Sequence, residues 1–169
     1  MKLMQTSAAA IAHLLALFRN VLHLRPRVTF SNAETVGAGI HENGEKSYKA
    51  DAAIATKNFV VISGTDEDHI AVGAADTEIP IGIADDSPSA AEDPVNVRLF
   101  GGAKGTMLGV ANAAITVNDF LVSAGNGKVK TLPAAAATYY IIGVALQAAA
   151  ADGDTIEINH CCPTQRVVT

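Results

Sequence analysis

Four places along the chain gather side chains of the kinds that do chemistry. Asp66-Glu67-Asp68-His69 sets three carboxylates beside an imidazole, the composition of a loop for a hard cation. A calcium loop would need an oxygen donor where Ile70 stands, and neither the turn Gly nor the distant Glu follows in place, so the run reads as a solvated turn. Asp85-Asp86 and Glu92-Asp93 flank a Ser/Pro/Ala loop and supply the paired carboxylates a glycosidase uses. Gly101-Gly102-Ala103-Lys104-Gly105-Thr106 is loosely a phosphate loop, but Lys precedes Gly between two strand candidates, which predicts a hairpin connection. His160-Cys161-Cys162 holds metal-type donors, yet adjacent Cys residues do not easily point at one ion, and a structural or exposed pair is expected.

No Gly-x-Ser-x-Gly elbow, no Cys with a nearby His and orienting group, and no dinucleotide fingerprint is present. The five His lie scattered at 13, 23, 41, 69 and 160. The expectation is a protein without catalytic residues, metal or cofactor.

The elements that would carry a binding surface follow from composition. Of 169 residues 49% are hydrophobic but only 5% aromatic, and Ala supplies 31 of those hydrophobic positions. A core built mostly of methyl groups is thin, and partners are expected to complete its burial. Two adjacent Cys exclude a disulfide framework. The apolar runs are all too short for a membrane-spanning helix, and the net charge of -5 argues against non-specific nucleic-acid binding.

Charge divides the chain. Residues 1–33 hold Lys2, Arg19, Arg25 and Arg27 with no acid, giving +4, whereas residues 34–169 hold eight basic and 17 acidic residues, giving -9. Six of 11 Leu precede residue 25, and nearly all Ile and Val follow residue 27. Leu favours helices and β-branched residues favour strands, so residues 1–27 are read as a basic amphipathic arm and residues 28–169 as a β body. Within the arm, Ile11, Leu14, Leu15, Phe18 and Leu22 form one helical stripe, with Thr6 or Ser7 to cap it and Pro26 to stop it. A secretory leader is the competing account of this segment, although no A-x-A-like site follows and Arg19 interrupts the apolar run.

In the body, strands are expected at 58–62, 69–72, 79–84, 95–100, 106–110, 120–123, 128–132, 139–146 and 155–159. Asn43-Gly44 and Asn126-Gly127 are signals for type I′ hairpins. Shifting 58–99 by 61 positions onto 119–160 matches 11 of 42 residues without a gap, in the pattern Phe-x-Val-x-x-Gly, then Ile-Gly-(Ile/Val)-Ala, then Asp-x-(Val/Ile)-x-(Val/Ile). The predicted fold is mainly β, a small barrel-like body with an internally duplicated β unit. The Asp shared by both copies, Asp93 and Asp154, is expected to bond backbone N–H groups in a turn.

The runs Ile79-Pro-Ile-Gly-Ile-Ala-Asp85, Val95-Asn-Val-Arg-Leu99, Ile115-Thr-Val-Asn-Asp-Phe-Leu-Val122, Ile142-Gly-Val-Ala-Leu146 and Gly153-Asp-Thr-Ile-Glu-Ile158 resemble the capsid decoration, or cement, proteins of tailed bacteriophages, over residues 48–159. Two departures stand out: Asn118-Asp119 where Gly-Asp is expected, and a helical arm in place of an extended one. The resemblance implies a β-barrel or β-tulip body, usually a homotrimer, on the outer face of an icosahedral capsid, where it staples major capsid protein subunits together. It implies no active site and a function of binding; no cofactor and no nucleic-acid or membrane partner is expected.

On this reading Ile11, Leu14, Leu15, Phe18 and Leu22 bury themselves on a capsid subunit or a neighbouring copy, and Arg19, Arg25 and Arg27 pair with acidic loops there. A head-fibre or tail-associated protein is the nearest alternative. A secreted carbohydrate-binding barrel is the more distant one, with three Tyr and no Trp a poor supply of stacking rings.

Overall fold

A computed structural model describes residues 43–56 and 58–169, and the arm at 1–27 lies outside them. The first module contains β1 (Glu45–Ala50), β2 (Val60–Ser63), β3 (His69–Val72), β4 (Gly82–Ala84) and β5 (Pro94–Leu99). The second contains β6 (Met107–Val110), β7 (Phe120–Ser123), β8 (Val129–Thr131), β9 (Ala137–Ala145) and β10 (Thr155–Val168).

The first five strands close into a barrel in the order β1-β3-β2-β4-β5, with β5 pairing back on β1. The second five form a sheet in the order β6-β10-β9-β7-β8. Read round the barrel the other way, β1-β5-β4-β2-β3, the two orders are the same, strand for strand. In the barrel, β1 and β3 close the seam as a parallel ladder, Lys49 opposite His69 and Ala50 opposite Ile70. At the matching place in the second module only the bridge between Ala111 and Val129 forms.

Individual hydrogen bonds recur 61 residues apart. Asp85 N donates to Asn96 O, as Leu146 N does to Glu157 O, both at 2.9 Å. Ala50 N donates to Asp93 O at 3.0 Å, as Ala111 N does to Asp154 O at 2.8 Å. The β4–β5 register, Ile83 opposite Arg98, recurs in β9–β10 as Val144 opposite Asn159. The glycine of the Ile-Gly motif has a steric reason: a Cβ on Gly82 would collide with the Arg98 carbonyl, and one on Gly143 with the Asn159 carbonyl.

The hydrophobic cores repeat as well. Ala50, Ile54, Ala84, Val95 and Val97 fill the first module, and Ala111, Ile115, Ala145, Ile156 and Ile158 fill the second. Alternation along each strand drives this, since every second side chain faces inward. The largest fully buried side chains are Ile, Met, Leu and Val, consistent with the ring-poor composition.

Several local expectations are corrected. Asn126 does not take the left-handed conformation that a type I′ turn demands, whereas Gly125 and Gly127 both do, and Ala124 N donates to Lys128 O across a three-residue loop. Residues 101–106 are not a hairpin, because β5 pairs with β1 and β4 while β6 pairs with β10; they carry the chain from one module to the other. β1, with the polar sequence EKSYKA, was not among the expected strands, and β10 runs nine residues past the expected end. Asn118 takes φ 74° and Asn58, which donates to the Ala84 carbonyl as Asn118 does to that of Ala145, takes φ 65°, so asparagine adopts at this turn the conformation for which Gly was expected.

Candidate functional site

The eight side chains expected to bind a partner, Ile11, Leu14, Leu15, Phe18, Arg19, Leu22, Arg25 and Arg27, all lie outside the described residues. The candidate chemistry in the body resolves into structural roles. Asp93 Oδ2 accepts from the N–H groups of Ser89 and Ala90, both at 2.9 Å. Asp154 Oδ2 accepts from Ala150 and Ala151 at 2.8 and 3.0 Å. The Ser89 hydroxyl also donates to Asp93 Oδ2 at 2.9 Å, and it leads the two N–H groups in holding the Asp93 carboxyl below its ordinary range. Asp86 Oδ2 accepts from Asn96 N at 3.0 Å, holding the loop to β5.

The acidic turn does more than meet solvent. His69 Nδ1 lies 2.6 Å from Asp66 Oδ1, and its Nε2 lies 3.0 Å from Glu92 Oε1. Glu92 in turn accepts from Lys49 Nζ at 2.8 Å. Both ring nitrogens face carboxylates, so the imidazolium satisfies both contacts at once. Hydrogen bonding to Asp66, then to Glu92, raises the His69 pKa, and the same contact with His69 lowers that of Asp66. The network joins β1, β3 and the loop before β5 at the parallel seam. It lies across the seam where β1 and β3 pair.

The inter-module connection is tied at both sides. Arg98 Nη2 donates to the Thr106 carbonyl at 3.1 Å, and His160 Nδ1 accepts from Gly101 N at 3.2 Å. Burial pushes the His160 pKa down, consistent with a neutral acceptor ring. Cys161 is half-buried in β10 with its thiol pushed up by burial, and Cys162 is exposed. Among the described residues no group of three or more His, Cys, Asp and Glu converges as a metal site would require.

A surface remains. Side chains opposite one another on paired strands share a face. On the outward face of the second sheet Leu108 stands opposite Glu157, whose carbonyl accepts from Leu146 N, and Phe120 stands opposite Val144. Leu108, Phe120 and Leu146 are 46%, 55% and 41% exposed. Sequence reasoning missed this face because alternation assigns apolar side chains inward. The repeat carried the signal: 61 residues earlier, Leu108 corresponds to Ser47 and Leu146 to Asp85, polar positions on the first module.

A duplicated β unit, closed as a barrel in one copy and open in the other, thus carries structural side-chain networks and an apolar outer face. Residues 41–160 match the family of phage cement proteins. That span is most of the chain, and the protein belongs to this family, whose place is the capsid of the virion. No curated protein matches the chain. Among solved structures it is similar to the head fibre gp8.5 N base of bacteriophage phi29, with 16% sequence identity and a TM-score of 0.48, over 71% of this chain and 95% of that one.

Proposed function

We propose that the protein decorates the outer surface of an icosahedral phage capsid and stabilises the shell by bridging major capsid protein subunits, as a homotrimer and without catalysis. The carrying observation is the cement-family match over residues 41–160. The sequence of the arm supports the reading, because a +4 segment bearing one apolar stripe is joined to a -9 body. Burying Ile11, Leu14, Leu15, Phe18 and Leu22 on a capsid subunit or a neighbouring copy contributes on the order of 5–10 kcal/mol before ordering costs. Arg19, Arg25 and Arg27 orient that contact more than they tighten it.

The test adds purified protein to capsids assembled without it and measures occupancy by cryo-EM, for the full chain and for a chain lacking residues 1–27. Full-chain density repeated across the shell, lost on deletion, is the expected result. Unchanged decoration by the shortened chain would remove the arm from the account. Density only on the tail or at one vertex would overturn the decoration reading itself.

A further inference from the structure

The two modules pack through a row of side chains, and that row occurs twice. Val60 on β2 stands opposite Ile83 on β4, and both point away from their own barrel into the core of the second module, among Met107, Val129 and Phe100. Val60 N also donates to the Gly127 carbonyl of the β7–β8 loop at 2.6 Å. The corresponding pair in the second module is Phe120 opposite Val144. Phe120 and Leu121 sit one place out of the 61-residue register by their pairing with β9, and an irregularity follows between Leu121 and Val122. Val60 and Ile83 are 0% and 1% exposed, whereas Phe120 is 55% exposed. The second module therefore repeats the row that joins the two, and among the described residues no further strand covers it.

Another copy of the barrel cannot cover it in the same way. The second module receives Val60 and Ile83 beside the open seam between β6 and β8, where only Ala111 and Val129 bridge. In the barrel the equivalent seam is closed by the β1–β3 ladder and overlaid by Lys49, His69 and Glu92. A charged, closed seam offers no apolar cleft.

We propose that this face receives the N-terminal arm of a neighbouring copy, so that copies are laced together around the shell. This rests on the decoration reading above and names the surface the arm grips. The size agrees: the apolar stripe over residues 11–22 would span ~17 Å as a helix, against ~14 Å between the outermost of the four strands, β6 to β7, that carry the row. The charge agrees, since the arm carries no acid and Glu157 lies in the middle of the apolar row. The reach agrees as well. The chain enters the body at Asn43, whose Oδ1 lies 3.5 Å from Lys104 Nζ, on the connection leading into β6. The residues between the stripe and Asn43, 23–42, extend to at most ~65 Å, and a body of this size is ~35 Å across, so the next copy is within range.

The test places a photo-crosslinking benzoyl-phenylalanine at Leu15 in the full chain and irradiates a mixture of light and nitrogen-15-labelled protein. Light-to-heavy crosslinks landing on peptides of β7 and β9 are expected. Phe120→Ser with Leu146→Ser, exposed positions that leave the core intact, should abolish them and lower the mass in solution measured by light scattering. Glu157→Arg should weaken the crosslink at least several-fold, and adding Arg19→Glu should restore it. Crosslinks confined within single copies, or to any other face, overturn the inference, as does an unchanged yield in the Phe120/Leu146 variant. Occupancy on capsids is read from the same preparations: normal decoration without the inter-copy crosslink refutes this inference alone, whereas failure of the unmodified chain to bind capsids refutes the decoration reading.

Discussion

If the two modules are built on the same steric constraint, Gly82→Ala and Gly143→Ala should do similar damage. A Cβ on Gly82 would collide with the Arg98 carbonyl and lie 2.7 Å from Val97 Cγ1. One on Gly143 would collide with the Asn159 carbonyl and lie 2.9 Å from both His160 Cα and Ile158 Cγ2. Carbon atoms settle about 3.5–4.0 Å apart, and the obstacle here is backbone held in a ladder rather than a side chain that can swing away. Overpacking of this kind costs about 1–3 kcal/mol, and with backbone as the obstacle we expect the upper half of that range. For a chain of this length that lowers Tm by ~4–10 °C. Gly102→Ala is the control, because the nearest atom to its Cβ would be Gly44 Cα at 3.5 Å, an ordinary contact. It should melt within about 2 °C of wild type, or slightly above through the stiffer unfolded chain. Differential scanning calorimetry reads all three. A Gly143→Ala protein melting with the control while Gly82→Ala falls would refute the shared constraint.

Ile54→Ala and Ile115→Ala, at matched core positions 1% and 3% exposed, should each cost about 2–4 kcal/mol in urea unfolding and agree to within about 1 kcal/mol. Asp93→Ala and Asp154→Ala should each release two amides, at residues 89 and 90 or 150 and 151, to fast hydrogen exchange while leaving the other turn protected. His69→Gln should destabilise in a pH-dependent way. The folded His69 pKa is raised above its ordinary 6.5, so its contribution is full below pH 6.5 and fades as pH rises through the folded value. Asp66 and Glu92 are lowered from 3.8 and 4.5, so their contributions hold above those values and fade as pH falls. The Tm gap between wild type and His69→Gln should therefore be widest at roughly pH 5–6 and narrow by about pH 9. A gap that widens with alkali would reverse the assignment of the charged imidazole.

The strands with alternating β-branched residues were legible in the sequence. β3 and β7 have the expected bounds, because His69-Ile-Ala-Val72 and Phe120-Leu-Val-Ser123 sit between turn residues. β1 was hidden because Ala50 is the only buried side chain of its six residues, so its place is fixed by pairing with β5 rather than by an apolar pattern. The end of β10 was hidden by Pro163 and the Cys pair, and it pairs with β9 only beyond an irregularity between His160 and Thr164. The turn role of Asp93 and Asp154 was readable because it recurred. The His69 network was not, since Glu92 is 23 residues away and Lys49 lies on the strand that carried no signal.

Under the arm-docking proposal the duplication accounts for which half faces a partner. Identical strand orders start from equivalent surfaces, so differences between the modules mark what each must do differently. The first module sealed its seam with a parallel ladder and a charged overlay, and its outward Val60–Ile83 row was spent on joining its sibling. The second kept its seam open to receive that row, and at two positions on its outer face carries leucine where the first carries Ser47 and Asp85. Selection for a solitary soluble body would remove exposed Leu108, Phe120 and Leu146, because apolar side chains on a shared face promote association. Leucine at 108 and 146, where the first module carries Ser47 and Asp85, is under that proposal the expected mark of a subunit whose last layer of burial comes from assembly.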